Sequence, residues 1–182
     1  MVDIARASGA RAVLLTPAAN LRDCSPFKSE SSPRISPEEL RRCQALTEVA
    51  QRSREANRPE DCLQALNQAA QIDGRHAGLQ FARARTLDAL GQFGEAKAGY
   101  QQALEEDVCP LRALAAMRGI VTDVATRREV PLVDFAAIAD QRARDGIAGK
   151  DLFLDHVHPT IEMNRLLALA IIESMDRSGY LR

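Results

Sequence analysis

The chain has 182 residues, 46% of them apolar, with 24 Lys and Arg against 25 Asp and Glu. That length and composition suit one ordinary globular domain or two small ones and argue against wholesale disorder. Interleaved charges, few aromatics and no Trp argue against nucleic acid as a partner, since that needs a basic stripe or stacking platforms.

The start, Met1-Val2-Asp3-Ile4-Ala5-Arg6, lacks the basic-then-apolar order of a secretory leader, and no apolar run is long enough to span a bilayer. Asp3 to Ser8 has helical character, which Gly9 stops. Ala12-Val13-Leu14-Leu15-Thr16 is a continuous apolar run after a glycine, the pattern of a buried parallel strand, and Pro17 ends it. Ligands of open α/β sheets gather at the carboxyl ends of strands. Residues 17–23 are therefore a candidate site edge, with Asn20 its leading polar group; a turn-forming Asn is the alternative. The Ser- and Pro-rich stretch 23–37 reads as a linker. In Ser36-Pro37-Glu38-Glu39, Ser36 can cap a helix, Pro37 suits its first turn, and Glu39 completes a capping box.

From Leu40 to Leu104 the pattern is helical, with breaks at Asn57-Arg58-Pro59, Asp73-Gly74 and Gly91. Two segments align at a separation of 34. Cys62, Leu66 and Ala69 match Ala96, Tyr100 and Ala103; Asn57 matches Gly91; Gln71-Ile72-Asp73 matches Glu105-Glu106-Asp107. The period and the small–large–small spacing resemble tetratricopeptide repeats. The resemblance implies paired helices and a groove for a peptide or protein partner; the alternatives are a plain pair of helical hairpins with no ligand, and a lid or substrate-shaping insert over an active site. Arg83, Arg85 and Lys97 could serve an anionic substrate, but a solvated helix face is the better reading of them. Cys24, Cys43, Cys62 and Cys109 have no framework spacing, and three sit on helical patterns. They read as reduced thiols, which fits a cytoplasmic chain.

Leu111 to Arg127 is amphipathic, with Leu111, Leu114, Ile120, Val121 and Val124 as anchors, in the position of a βαβ crossover helix. Val130-Pro131-Leu132-Val133 reads as the next parallel strand, with Pro131 favouring an edge. Asp134, at that strand's carboxyl end, is a second candidate acid or else the cap of a helix over Phe135–Ala143. Residues 146–150 read as a loop. A final helix over Ile161–Met175 would pack Leu166, Leu167, Leu169, Ile171 and Ile172 against the sheet.

Between them lies Leu152-Phe153-Leu154-Asp155-His156-Val157-His158-Pro159-Thr160. Asp155 and His158 are three apart, a spacing that in a tight loop brings the carboxylate to one imidazole nitrogen and leaves the other free to take a proton. Pro159 biases His158 towards an extended backbone and suits the first position of the following helix. Three alternatives stand beside this. Asp155 caps the helix, His158 is an ordinary surface histidine, or His156 and His158 hold a metal. The last lacks further ligands, so neither metal nor cofactor is expected.

The motif and its aliphatic helix resemble the last sequence block of the SGNH (GDSL-type) hydrolases. Thr16-Pro17-Ala18-Ala19-Asn20-Leu21-Arg22-Asp23, with Pro26-Phe27-Lys28-Ser29-Glu30, resembles a subgroup with helical repeats inserted in the hydrolase domain. The resemblance implies a flavodoxin-like α/β sandwich and a Ser-His-Asp triad in which His158 is the base and Asp155 its orienting carboxylate. It implies ester substrates, such as acylated carbohydrates or lipids. Met163 stands where many members have Gly. No Gly-Asp-Ser-like block, oxyanion-hole glycine or Gly-x-Asn block occurs, and Ser8-Gly9 is in a helix-end context. The expected architecture is a partial hydrolase fold with two parallel strands: residues 1–35 and 109–182 flank a tetratricopeptide-like insert at 36–108. Alone, such a chain is expected to be inactive.

Overall fold

The computed structural model describes residues 1–181. The two apolar runs pair in parallel. β1 (Leu14–Leu15) lies beside β2 (Leu132–Val133), with Leu14 opposite Leu132 and Leu15 opposite Val133. The ladder is shorter than the apolar runs, although the Thr16 amide still donates to Val133 O (3.1 Å). The chain divides into two compact units, Met1–Asn20 with Arg112–Arg144 and Ala148–Arg182, and Leu21–Leu111 with Asp145–Ile147.

The first unit is an α/β unit. It holds both strands and helices α1 (Val2–Ala7), α6 (Ala115–Arg127), α7 (Phe135–Arg142) and α8 (Ile161–Arg177). α6 packs on β1 and α8 on β2, so α6 occupies the crossover between parallel strands. It starts later than its periodicity suggests. Leu114 stands extended as its N-cap, and Leu111 is left in solvent. The main core gathers Phe135, Ala139, Ala148, Leu152, Phe153 and Met163, with Leu166 and Leu167 at its margin. Leu169 and Ile172 of α8 stay about half exposed, contrary to the expectation that this face meets the sheet, and Met117 and Ile120 of α6 are exposed to a similar degree. The reason is width. Two strands are about 5 Å apart, whereas a helix with its side chains is about 10 Å across. An apolar concavity of about 510 Å³ is left beside α6, lined by Met1, Val2, Leu14, Ile120, Val121 and Val124.

The second unit contains α2 (Pro37–Glu55), α3 (Pro59–Ile72), α4 (Ala77–Ala89) and α5 (Phe93–Glu105). α2 begins with the expected capping box of Ser36 and Glu39. α2 pairs with α3 and α4 with α5. The residues aligned at a separation of 34 take equivalent places. Cys62, Leu66 and Ala69 on α3, and Ala96, Tyr100 and Ala103 on α5, are all buried. Asn57 and Gly91 both have positive φ, 54° and 74°, the backbone state that turns the chain between paired helices. Gly99 lets α5 approach α4, since a Cβ there would lie 3.0 Å from that of Ala84. None of the four cysteines is in a disulfide; Cys43 and Cys62 lie in helices, whereas Cys109 falls beyond α5. No helix among the described residues is long and apolar enough to cross a membrane.

The stretch read as a linker is bound, which moves the unit boundary from residue 35 to residue 20. Asp107 is buried and accepts the amides of Phe27 (2.8 Å), Lys28 (3.0 Å) and Cys109 (3.0 Å). Asp73, one period earlier and also buried, accepts the Ser32 amide (3.2 Å). The Val108 amide returns a bond to Lys28 O, and Ser29 Oγ accepts from Gly78 N (2.8 Å). Two repeat-equivalent carboxylates thus hold an extended strap along the helix ends and bring the two ends of the inserted segment together.

Two outcomes follow for this fold. Asp107→Asn replaces an all-acceptor group with one that turns an amide donor towards backbone donors, and should cost about 1–3 kcal/mol. Urea unfolding measures it, with faster amide exchange at Phe27 and Lys28 before α5 opens. Ile120→Lys combined with Ile172→Lys should leave stability within about 0.5 kcal/mol and raise the concentration at which the protein elutes as a monomer. An unchanged elution profile would mean that these faces do not drive association.

Candidate active site

The motif loop is anchored at its base. Leu152 and Phe153 are buried in the α/β unit, and the chain then turns outward, leaving Leu154 74% exposed. The Thr160 amide donates to Leu152 O (2.9 Å), the Leu154 amide donates to His158 O (2.8 Å), and Phe153 forms an antiparallel bridge with Pro159. These bonds close a narrow loop with residues 155–158 at its tip.

At the tip, Asp155 Oδ1 accepts the amides of Val157 and His158, each at 2.8 Å, and Oδ2 lies 2.6 Å from His158 Nδ1. The His158 amide, then the Val157 amide, then the imidazole hold this carboxyl well below the usual carboxylate range. An ionised carboxylate only accepts, so Nδ1 carries the proton and Nε2 the lone pair. The His158 side chain is 71% exposed and that of Asp155 44%. Nε2 has no hydrogen-bond partner among the described residues. Chemically, an imidazole held in this way can take a proton at Nε2, the chemistry a general base needs.

The geometry separates the alternatives. Asp155 does not cap α8; Thr160 does, accepting the Met163 amide at 3.3 Å. Pro159 precedes that cap and so is not the first helical residue, as its sequence context suggested. His156 Nδ1 is 3.6 Å from Asp155 Oδ1, beyond hydrogen-bond reach, and its ring meets that of His158 edge-on with centroids 6.3 Å apart. The described residues contain no cluster of three or more His, Cys, Asp or Glu able to hold a metal.

Asn20 reaches the loop and Asp134 does not. Asn20 is 4% exposed. Its amide donates to His156 O (3.0 Å) and its Nδ2 to Asp155 O (3.2 Å). Asp134 caps α7 by accepting the Ala137 amide (3.1 Å), and it accepts the Thr16 hydroxyl at 2.7 Å. Strand end and helix start thus engage Asp134, and the acid beside the histidine is Asp155. Sequence reasoning passed over Arg112, which is 3% exposed and donates from Nη1 to Asn20 O at 2.9 Å. No motif surrounds it, and its partner is 92 residues away. The three serines of this unit are engaged elsewhere. Ser8 donates to Ala5 O, Ser178 donates to Ser174 O, and Ser174 is buried.

The chain matches no family model, no curated protein and no solved structure.

The carboxylate sets a pH window for the loop. A group whose folded-state pKa lies below its unfolded value contributes stability that is present above the unfolded value and lost as pH falls through the folded one. Protection of the Val157 and His158 amides should therefore persist from neutral pH to below about 3.9, the ordinary Asp value, and vanish only in stronger acid. Carboxyl-carbon NMR of Asp155 reads the midpoint directly; a midpoint at or above the ordinary value contradicts the bonding described.

Proposed function

We propose that this chain carries the Asp-His part of an SGNH (GDSL-type) ester hydrolase, with its helical unit inserted in the hydrolase domain. The observation that supports it most is the 2.6 Å Asp155–His158 pair with an open Nε2 on a loop of an α/β unit. On this reading β1 and β2 are the last two strands of a flavodoxin-like sheet of about five. The nucleophilic serine and the oxyanion donors come from residues outside these 182.

The chemistry follows from the tautomer. His158 Nε2 takes the serine proton as the serine oxygen attacks the ester carbonyl, and returns it to the departing alkoxide, which leaves as an alcohol. Water then repeats the sequence on the acyl-serine and releases the acid. Asp155 keeps the proton on Nδ1 and stabilises the imidazolium between the two transfers. General-base action of this kind contributes about 10²–10⁴-fold in rate. Acetyl or acyl esters of carbohydrates or lipids are the substrate class the family resemblance supports.

A fluorophosphonate probe tests this. The 182-residue chain should leave its serines unlabelled. A protein extended through the reading frame upstream of Met1 should be labelled at a Gly-Asp-Ser-like serine, and His158→Ala should abolish that labelling. Labelling within the 182 residues, labelling indifferent to His158→Ala, or a frame with no such block would overturn the reading.

The 34-residue helical repeat supports a second reading, a tetratricopeptide-type interaction unit on a non-catalytic scaffold. Between α2 and α4 lies a groove of about 430 Å³ lined by Leu40, Cys43, Thr47, His76, Leu79 and Ala82, of a kind that suits an extended peptide. A genuine start codon at Met1 with no upstream block would favour this second reading.

A further inference from the structure

We infer that Asn20 and Arg112 are positioning residues that hold the Asp155–His158 pair in its working geometry; this rests on the hydrolase reading of that pair. The pair stands in solvent, so burial cannot fix it, and Leu154 beside it also faces outward. What fixes the tip is a layer of buried polar groups beneath it. Asn20 holds two consecutive carbonyls, those of Asp155 and His156, one through its side-chain amide and one through its backbone.

The second of these bonds acts directly on the pair. The peptide group joining His156 to Val157 receives the Asn20 amide at its oxygen and gives its own N–H to Asp155 Oδ1. One rigid plane therefore connects Asn20 to the carboxylate that orients His158, and hydrogen bonds in such a chain polarise one another. The Arg112 guanidinium fixes the next peptide group by bonding Asn20 O. Burying a guanidinium and a carboxamide is costly unless both are bonded, and a loop that only introduced α8 would need neither, because Thr160 already caps that helix. Asn suits the position. It has a donor where Asp would set a charge against the Asp155 carbonyl, and it has a reach that Ser and Ala lack.

The test compares the full chain with Asn20→Ala, Arg112→Met and Arg112→Lys. The readouts are carboxyl-carbon titration of Asp155 and amide exchange at Val157, with unfolding temperature as control. Asn20→Ala loses the Nδ2 bond to Asp155 O. Arg112→Met frees Asn20 O, so residue 20 no longer holds its backbone amide on His156 O. In both, the Asp155 midpoint should climb towards about 3.9, and the Val157 amide should exchange about tenfold faster or more. Arg112→Lys, which keeps a charged donor, should stay near wild type. Midpoints unmoved in Asn20→Ala and Arg112→Met would overturn the inference. If Asn20→Ala does not fold, the contrast between Arg112→Lys and Arg112→Met decides in the same way. Neither readout uses turnover. A moved midpoint without serine labelling of the extended protein sinks the hydrolase reading alone. An unmoved midpoint with labelling intact sinks this inference alone.

Discussion

One carboxylate organises the tip of the loop between Phe153 and Pro159. Asp155 accepts two amides on one oxygen and faces an imidazole nitrogen with the other. The two amides come from the residues that must be placed, Val157 and His158, so a single side chain shapes the backbone and selects the histidine tautomer together. Because these bonds favour the ionised form, the group stays an acceptor across the neutral range, and His158 is presented with its basic nitrogen outward.

The same device recurs in the helical unit on a larger scale. Asp73 and Asp107 occupy equivalent positions of a 34-residue repeat; Asp73 accepts the Ser32 amide, and Asp107 the Phe27 and Lys28 amides, of the segment that leads into the repeats. An inserted segment needs its two ends close together, and Asp107 meets this by binding Phe27 and Lys28 on one side and Cys109 on the other. In both units a carboxylate orders a stretch of chain that has too few apolar residues to order itself. That follows from chemistry: an ionised carboxylate offers about four acceptor sites and no donor, so it suits places where several N–H groups converge.

The α/β unit has the opposite character where apolar surface is concerned. Its helices carry more apolar face than a two-stranded sheet can cover, and α6 and α8 both leave aliphatic side chains in water. Periodicity identified those faces correctly as apolar. It did not identify what meets them, because burial depends on the width of the platform beneath a helix and not on the helix itself.

The local sequence alone determined the breaks, the capping box and, the late start of α6 apart, the helices, because helical periodicity, proline and left-handed turns act over a few residues. Asn57 and Gly91 were legible as equivalent turns, and Asp155 with His158 as a pair, because each signal lies within one repeat or one loop. Tertiary structure decided the rest. It decided between the two readings of Asp134, tied the supposed linker to Asp73 and Asp107, and bonded Asn20, legible only as the polar group of a site edge, to the loop with Arg112 behind it. Asn20 and Asp155 are 135 residues apart. A hydrogen bond across that separation exists only once the strands pair and the chain returns, so no local pattern can announce it.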